Sequence, residues 1–238
     1  MCGPVSTRKQ PVQQPPPVQR LRVQYAKRGR ARFTSHRDFS RAFERALFRA
    51  DIPMAYSSGF NPHMRISYAN ASPTGAATEA EYLEIGLALV CDPAAVRTAL
   101  DEALPPGLDV LAVTEATPVS LADLLQASHW RIERIPAERD RLAEAGALFL
   151  AAPSVEVQRM TKTGLRTFDT REPVISLAVV GDDGLDLVIR HGTPLVRPDD
   201  VVTGLRSLVP DLDDGPALIT RLAQGPYVDG AIQDPFAV

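Results

Sequence analysis

The chain has 238 residues, 45% of them hydrophobic, which is enough to bury a sizeable core in one large domain or two of about 100 residues. No run of 18 apolar residues and no apolar leader occurs, so a soluble cytoplasmic protein with no membrane partner is expected. Two cysteines, Cys2 and Cys91, exclude a disulfide framework, a cysteine zinc site and a cluster-binding triad, so neither metal nor cofactor is expected on this chain.

The net charge is −3, but it is unevenly spread. Residues 20–66 hold eleven Lys and Arg against three Asp and Glu, while the rest holds 15 against 26. Such an asymmetry is either a solvated arginine face or an anion-binding surface.

In chain order, residues 1–19 are rich in Pro and Gln and show no apolar period, so a disordered or polyproline-like tail is expected. Residues 20–34 read as a strand hairpin. Leu21, Val23 and Tyr25 alternate with polar residues, Lys27-Arg28-Gly29-Arg30 makes the turn, and Ala31 to Thr34 returns. Ser35 and Asp38 then form a capping-box variant at a helix start. Phe39, Ala42, Phe43, Ala46, Leu47 and Ala50 fall on one helical face, and Arg37, Arg41, Arg45 and Arg49 form a ridge on another. Pro53 stops the helix.

The loop Gly59-Phe60-Asn61-Pro62-His63 comes next, then a short strand near Arg65 to Tyr68 and another over Tyr82 to Leu89. Asp92 caps a second helix to Leu104, and Leu108 to Glu115 ends this half. The order is βαββαβ. After a linker or short helix at 117–127, strands at 129–135, 155–160, 174–180, 185–190 and 218–222 and helices at 137–151 and 197–208 repeat that order less clearly. The expected fold is therefore α+β, with two tandem ferredoxin-like units built on antiparallel sheets at 20–116 and 127–225, and an irregular tail at 226–238.

His36 stands at the positive end of the arginine helix, where it can exchange a proton or help bind phosphate. The alternative is a histidine held by a nearby carboxylate or carbonyl. Arg37, Arg41, Arg45, Arg49 and Arg65 are phosphate candidates, unless nearby acids such as Glu44 or Asp51 neutralise them. Phe60, with Tyr56 and Tyr68, can stack bases, and Asn61 and His63 complete that loop. Lys162 to Arg166 is a basic turn or a plain hairpin tip. No phosphate-binding glycine loop, dinucleotide fingerprint or metalloprotease helix is present.

Four stretches together resemble a known family: Phe33-x-Ser-His-x-Asp, Arg45-Ala46-x-x-Arg49-Ala50-x-Ile-Pro, Tyr56-Ser57-x-Gly-Phe-Asn-Pro-His63, and Glu81-Tyr82. They resemble the bacterial radical-SAM-associated family DUF2344, most specifically over residues 20–115. Arg37 and Met64 stand where members often carry an apolar residue and a proline. The resemblance implies an accessory chain working with a separate radical SAM protein.

A non-catalytic module that binds RNA, and not DNA, and presents it to that partner is the reading the basic helix and aromatic loop favour. A protein adaptor without RNA is the alternative. A fainter, fold-level likeness to CRISPR-RNA-processing endoribonucleases offers a third: metal-independent cleavage with His36 as acid or base, and Arg45 or Arg49 steadying the phosphate.

Overall fold

The computed structural model describes residues 13–161, 164–209, 212 and 215–237. The expectation of a disordered tail falls mainly on residues 1–12, and the basic turn includes Lys162 and Thr163; both lie outside the described residues. Residues 13–18 lead without regular structure into strand β1 (Gln19–Lys27).

Leu21, Val23 and Tyr25 are buried on one face of β1, as their alternation requires. Helix α1 (His36–Arg49) lies over that face. The hydroxyl of Ser35 accepts from the Asp38 N–H at 3.2 Å and donates to the Asp38 carboxylate at 2.7 Å, which fixes where the helix starts. Phe39, Phe43, Ala46 and Leu47 form its buried stripe. Strands β2 (Ile66–Ala69) and β3 (Ala77–Leu87), helix α2 (Pro93–Ala103) and strand β4 (Leu108–Glu115) complete the first half.

A short helix α3 (Leu121–Leu124) crosses to the second half. There follow β5 (Ala127–Glu133), α4 (Arg139–Ala151), β6 (Glu156–Thr161), β7 (Gly164–Asp169), β8 (Val174–Val180), β9 (Gly184–Arg190), α5 (Pro198–Leu208) and β10 (Leu218–Gly225). The chain is thus α+β with a large, mostly antiparallel sheet.

Eight strands form that one sheet, in the order β4-β1-β3-β10-β5-β9-β8, with β2 also paired to β3. Every neighbour is antiparallel except β3 and β10, which run parallel at the seam through Thr220 opposite Ala77 and Arg221 opposite Thr78. The expected antiparallel pairing holds within each half, and the two halves join through that one parallel pair. Each half keeps its own core: Leu21, Phe43, Leu83 and Leu100 in the first, Ile132, Phe149, Leu187 and Val201 in the second.

Three expectations are corrected. Ala31 to Thr34 is not a returning strand; Gly29–Phe33 is a single 3-10 turn. Both edges of β1 are already taken by β3 and β4, so no edge remains for it. The segment at 155–160 belongs to a separate β6–β7 hairpin, because it lies against the helices and sends Val157 and Phe168 into their core. The C-terminal tail is not irregular throughout. β11 (Tyr227–Val228) and β12 (Ala231–Ile232) pair around Asp229-Gly230, whose φ values of 51° and 82° suit an Asp-Gly hairpin turn.

Candidate functional site

Where the half-sheets meet, the helices leave a cavity of about 560 Å³. Its wall includes His36, the first residue of α1, and Arg197, Pro198 and Asp199 at the start of α5. Trp130, Ile189 and Arg221 come to it from the sheet.

Arg221 is 2% exposed and Glu81 1% exposed, and the two form an ion pair across the seam. Arg221 also donates to the Asn70 carbonyl at 2.8 Å and to the Thr78 hydroxyl at 3.4 Å, and its guanidinium carbon lies 5.1 Å over the Trp130 ring. Glu81 accepts the Ser72 N–H at 3.1 and 3.3 Å. Opposite β1, a register shift between Tyr25 and Lys27 brings Thr78 and Glu81, three residues apart, to the same side of β3. Without that bulge one of them would face away. Burial and the neighbouring Glu81 charge push the Tyr25 phenol well above its ordinary range, while burial lowers the Lys27 amine.

Next to the same cluster, with the Asn70 amide nitrogen 3.1 Å from it, His191 Nδ1 donates to the Leu125 carbonyl at 2.5 Å, and the Ser128 hydroxyl lies 2.6 Å from Nε2. With the proton on Nδ1, Nε2 accepts from Ser128. Burial pushes this imidazole below its ordinary value, so it is neutral near pH 7.

The sequence-predicted residues fall into three places. His36 lines the cavity, exposed, with its ring edge-on to Tyr68 at 4.8 Å. Arg37, Arg41 and Arg45 are exposed on α1 and have no hydrogen-bond or ion-pair partner among the described residues; neither Glu44 nor Asp51 neutralises them. Each four-residue step turns the ridge by about 40°, so it winds round the helix, and Arg49 reaches the carbonyl of Ala103 at the end of α2. Phe48 stands among these arginines, 76% exposed.

Phe60, Asn61 and His63 are exposed at the tip of a loop closed by the Tyr56–Met64 bridge and by Ser57 N–H to His63 carbonyl at 2.8 Å. Arg65 donates to the Tyr56 carbonyl at 3.1 Å and so braces the base of that loop. None of Phe60, Asn61, His63 and Arg65 lines the cavity, so loop tip and cavity are separate places.

Sequence reasoning missed Arg221, Ser72, His191, Ser128 and Trp130, and took Glu81 only as part of a motif. One signal was available at one end only: Arg221 is the single charge in the apolar stretch Leu218 to Ala223, whereas Glu81 shares its strand with Glu79 and Glu84 and does not stand out. Among the described residues, no three His, Cys, Asp or Glu gather closely enough to hold a metal ion, and no helix is long and apolar enough to cross a membrane.

None of the curated proteins matches this sequence. A family model does, over residues 20–198, a span that holds the arginine ridge, the loop, Glu81 and the His191–Ser128 pair but stops short of Arg221. By that match the chain belongs to DUF2344, the family described as an uncharacterized protein conserved in bacteria.

Proposed function

We propose that this chain is a non-catalytic, cytoplasmic accessory module that binds RNA and presents it to a radical SAM partner. One observation carries the reading: Arg37, Arg41 and Arg45 are exposed and unneutralised on a helix whose first residue opens into the central cavity. Unpaired surface arginines one helical turn apart favour phosphates. The partner comes from the family resemblance of the motifs.

Two half-sheets ordered β4-β1-β3-β2 and β10-β5-β9-β8 support reading the architecture as two ferredoxin-like plaits fused edge to edge. A protein adaptor is favoured instead by one feature, the exposed Phe48 between Arg41, Arg45 and Arg49.

The test is crosslinking and sequencing of RNA bound to the purified chain, with Arg37, Arg41 and Arg45 changed together to Glu. A defined RNA that disappears in the triple variant is expected. Three phosphate contacts should also give a log K versus log salt slope of about −2 on single strands, flattened in the variant. No RNA above background in the intact chain would leave the ridge as a protein-docking face. Cleavage of bound RNA, lost in His36→Ala, would overturn the non-catalytic reading.

A further inference from the structure

Building on the RNA reading above, we propose that the cavity between the first turns of α1 and α5 binds a phosphate monoester, either the phosphorylated end of an RNA chain or a free nucleotide carrying the same group. Helices of 14 and 11 residues both begin at this cavity, so two positive helix ends face it, α1 bringing the N–H groups of its first turn while α5 opens on Pro198, which has none, and its Asp200 N–H is held by the Arg197 carbonyl. Cationic or donor side chains reach it from three sides. His36 and Arg197 are exposed on the two helix starts, and Arg221 is buried beneath them.

Two features show donors left over. Arg221 has five N–H groups and makes three hydrogen bonds. Ser72, 9% exposed and part of the wall, has a buried hydroxyl with no hydrogen-bond partner among the described residues. Buried hydroxyls are seldom left so. Of the acids nearby, Glu81 is committed to Arg221 and to the Ser72 N–H, and Asp200 to Arg159 and the Arg197 N–H, while Asp199 lines the wall and is the one carboxylate a phosphate must share the cavity with.

The shape selects the end of a chain. An internal phosphodiester has two ester arms and needs a groove open at both ends. Here Trp130 (5% exposed), Ile189 (1%) and Arg221 back the cavity. A monoester enters from one side and offers two charges and three free oxygens to donors around it. A volume of about 560 Å³ is of nucleotide size.

The experiment compares internally labelled oligoribonucleotides of one sequence ending in 5′-phosphate, 3′-phosphate or hydroxyl only, with calorimetry on adenosine monophosphate and inorganic phosphate. A phosphorylated end should tighten binding about tenfold, the worth of one or two charge-assisted hydrogen bonds. That preference should vanish in Arg197→Ala and in Ser72→Ala, both chosen because neither disturbs the Glu81–Arg221 pair. Binding of the monophosphate as tight as that of the oligonucleotide assigns a free nucleotide; preference for the oligonucleotide assigns an RNA end. Equal binding of all three oligonucleotides, with no heat from monophosphate or phosphate, overturns the pocket and leaves the ridge reading standing. Monophosphate binding without any RNA binding does the reverse.

Discussion

Arg221 shows what one buried charge costs and what it fixes. Its guanidinium and the Glu81 carboxylate are both almost fully out of water, so neither tolerates the loss of the other. Arg221→Met strands a buried carboxylate and should lower unfolding free energy by about 3–5 kcal/mol. Adding Glu81→Gln should restore much of that loss. Urea denaturation of the three variants is the measurement, and an Arg221→Met variant as stable as the intact chain would rule out the pair as an anchor. His191 gives a pH signature. Its folded pKa lies below the unfolded value of about 6.5, so above that pH the imidazole is neutral in both states and its contribution is complete. Below it the unfolded chain takes up a proton that the folded chain refuses, and stability falls with pH until the folded value is passed. The Tm should therefore drop between pH 7 and pH 5 more steeply in the intact chain than in His191→Gln. Residue roles were legible only where the local pattern sufficed. Ser35 and Asp38 declare a cap by spacing alone, whereas Glu81 and Arg221 meet only through a strand pairing 140 residues apart in sequence.

At the scale of elements, α1 separates stability from binding. Phe43 is 0% exposed in the first core, and Phe43→Ala should cost about 3–5 kcal/mol. Arg41 and Arg45 touch no described partner, so changing both to Glu should alter stability by no more than about 0.5 kcal/mol. Thermal melts of both variants beside RNA binding would show the division; a large loss of stability from the arginine changes would mean that the ridge is structural. Helix period and capping residues made α1 readable in advance. The 3-10 turn at Gly29–Phe33 was not, because short basic stretches fit a hairpin turn equally well and only the occupancy of both β1 edges decides. The β6–β7 hairpin escaped for a related reason: alternation predicts a strand but not which sheet receives it.

At the scale of the whole molecule, element order was legible and the joining of the halves was not. Apolar period and turn residues carry the order, but the parallel contact of β3 with β10 depends on two short stretches with no local mark. That seam has a mechanical meaning. Strands elsewhere in the sheet share up to eight residue pairs with a neighbour, as β1 does with β3, whereas the seam shares two. Backbone pairing is thinnest directly below the opening between α1 and α5, so the sheet is expected to bend there first, with the Arg221–Glu81 pair and the Gln224 amide on the Ala80 carbonyl as its ties. Amide exchange at Thr220 and Arg221 should accordingly be faster than at Leu83 or Leu187, and should slow when a ligand spans the gap.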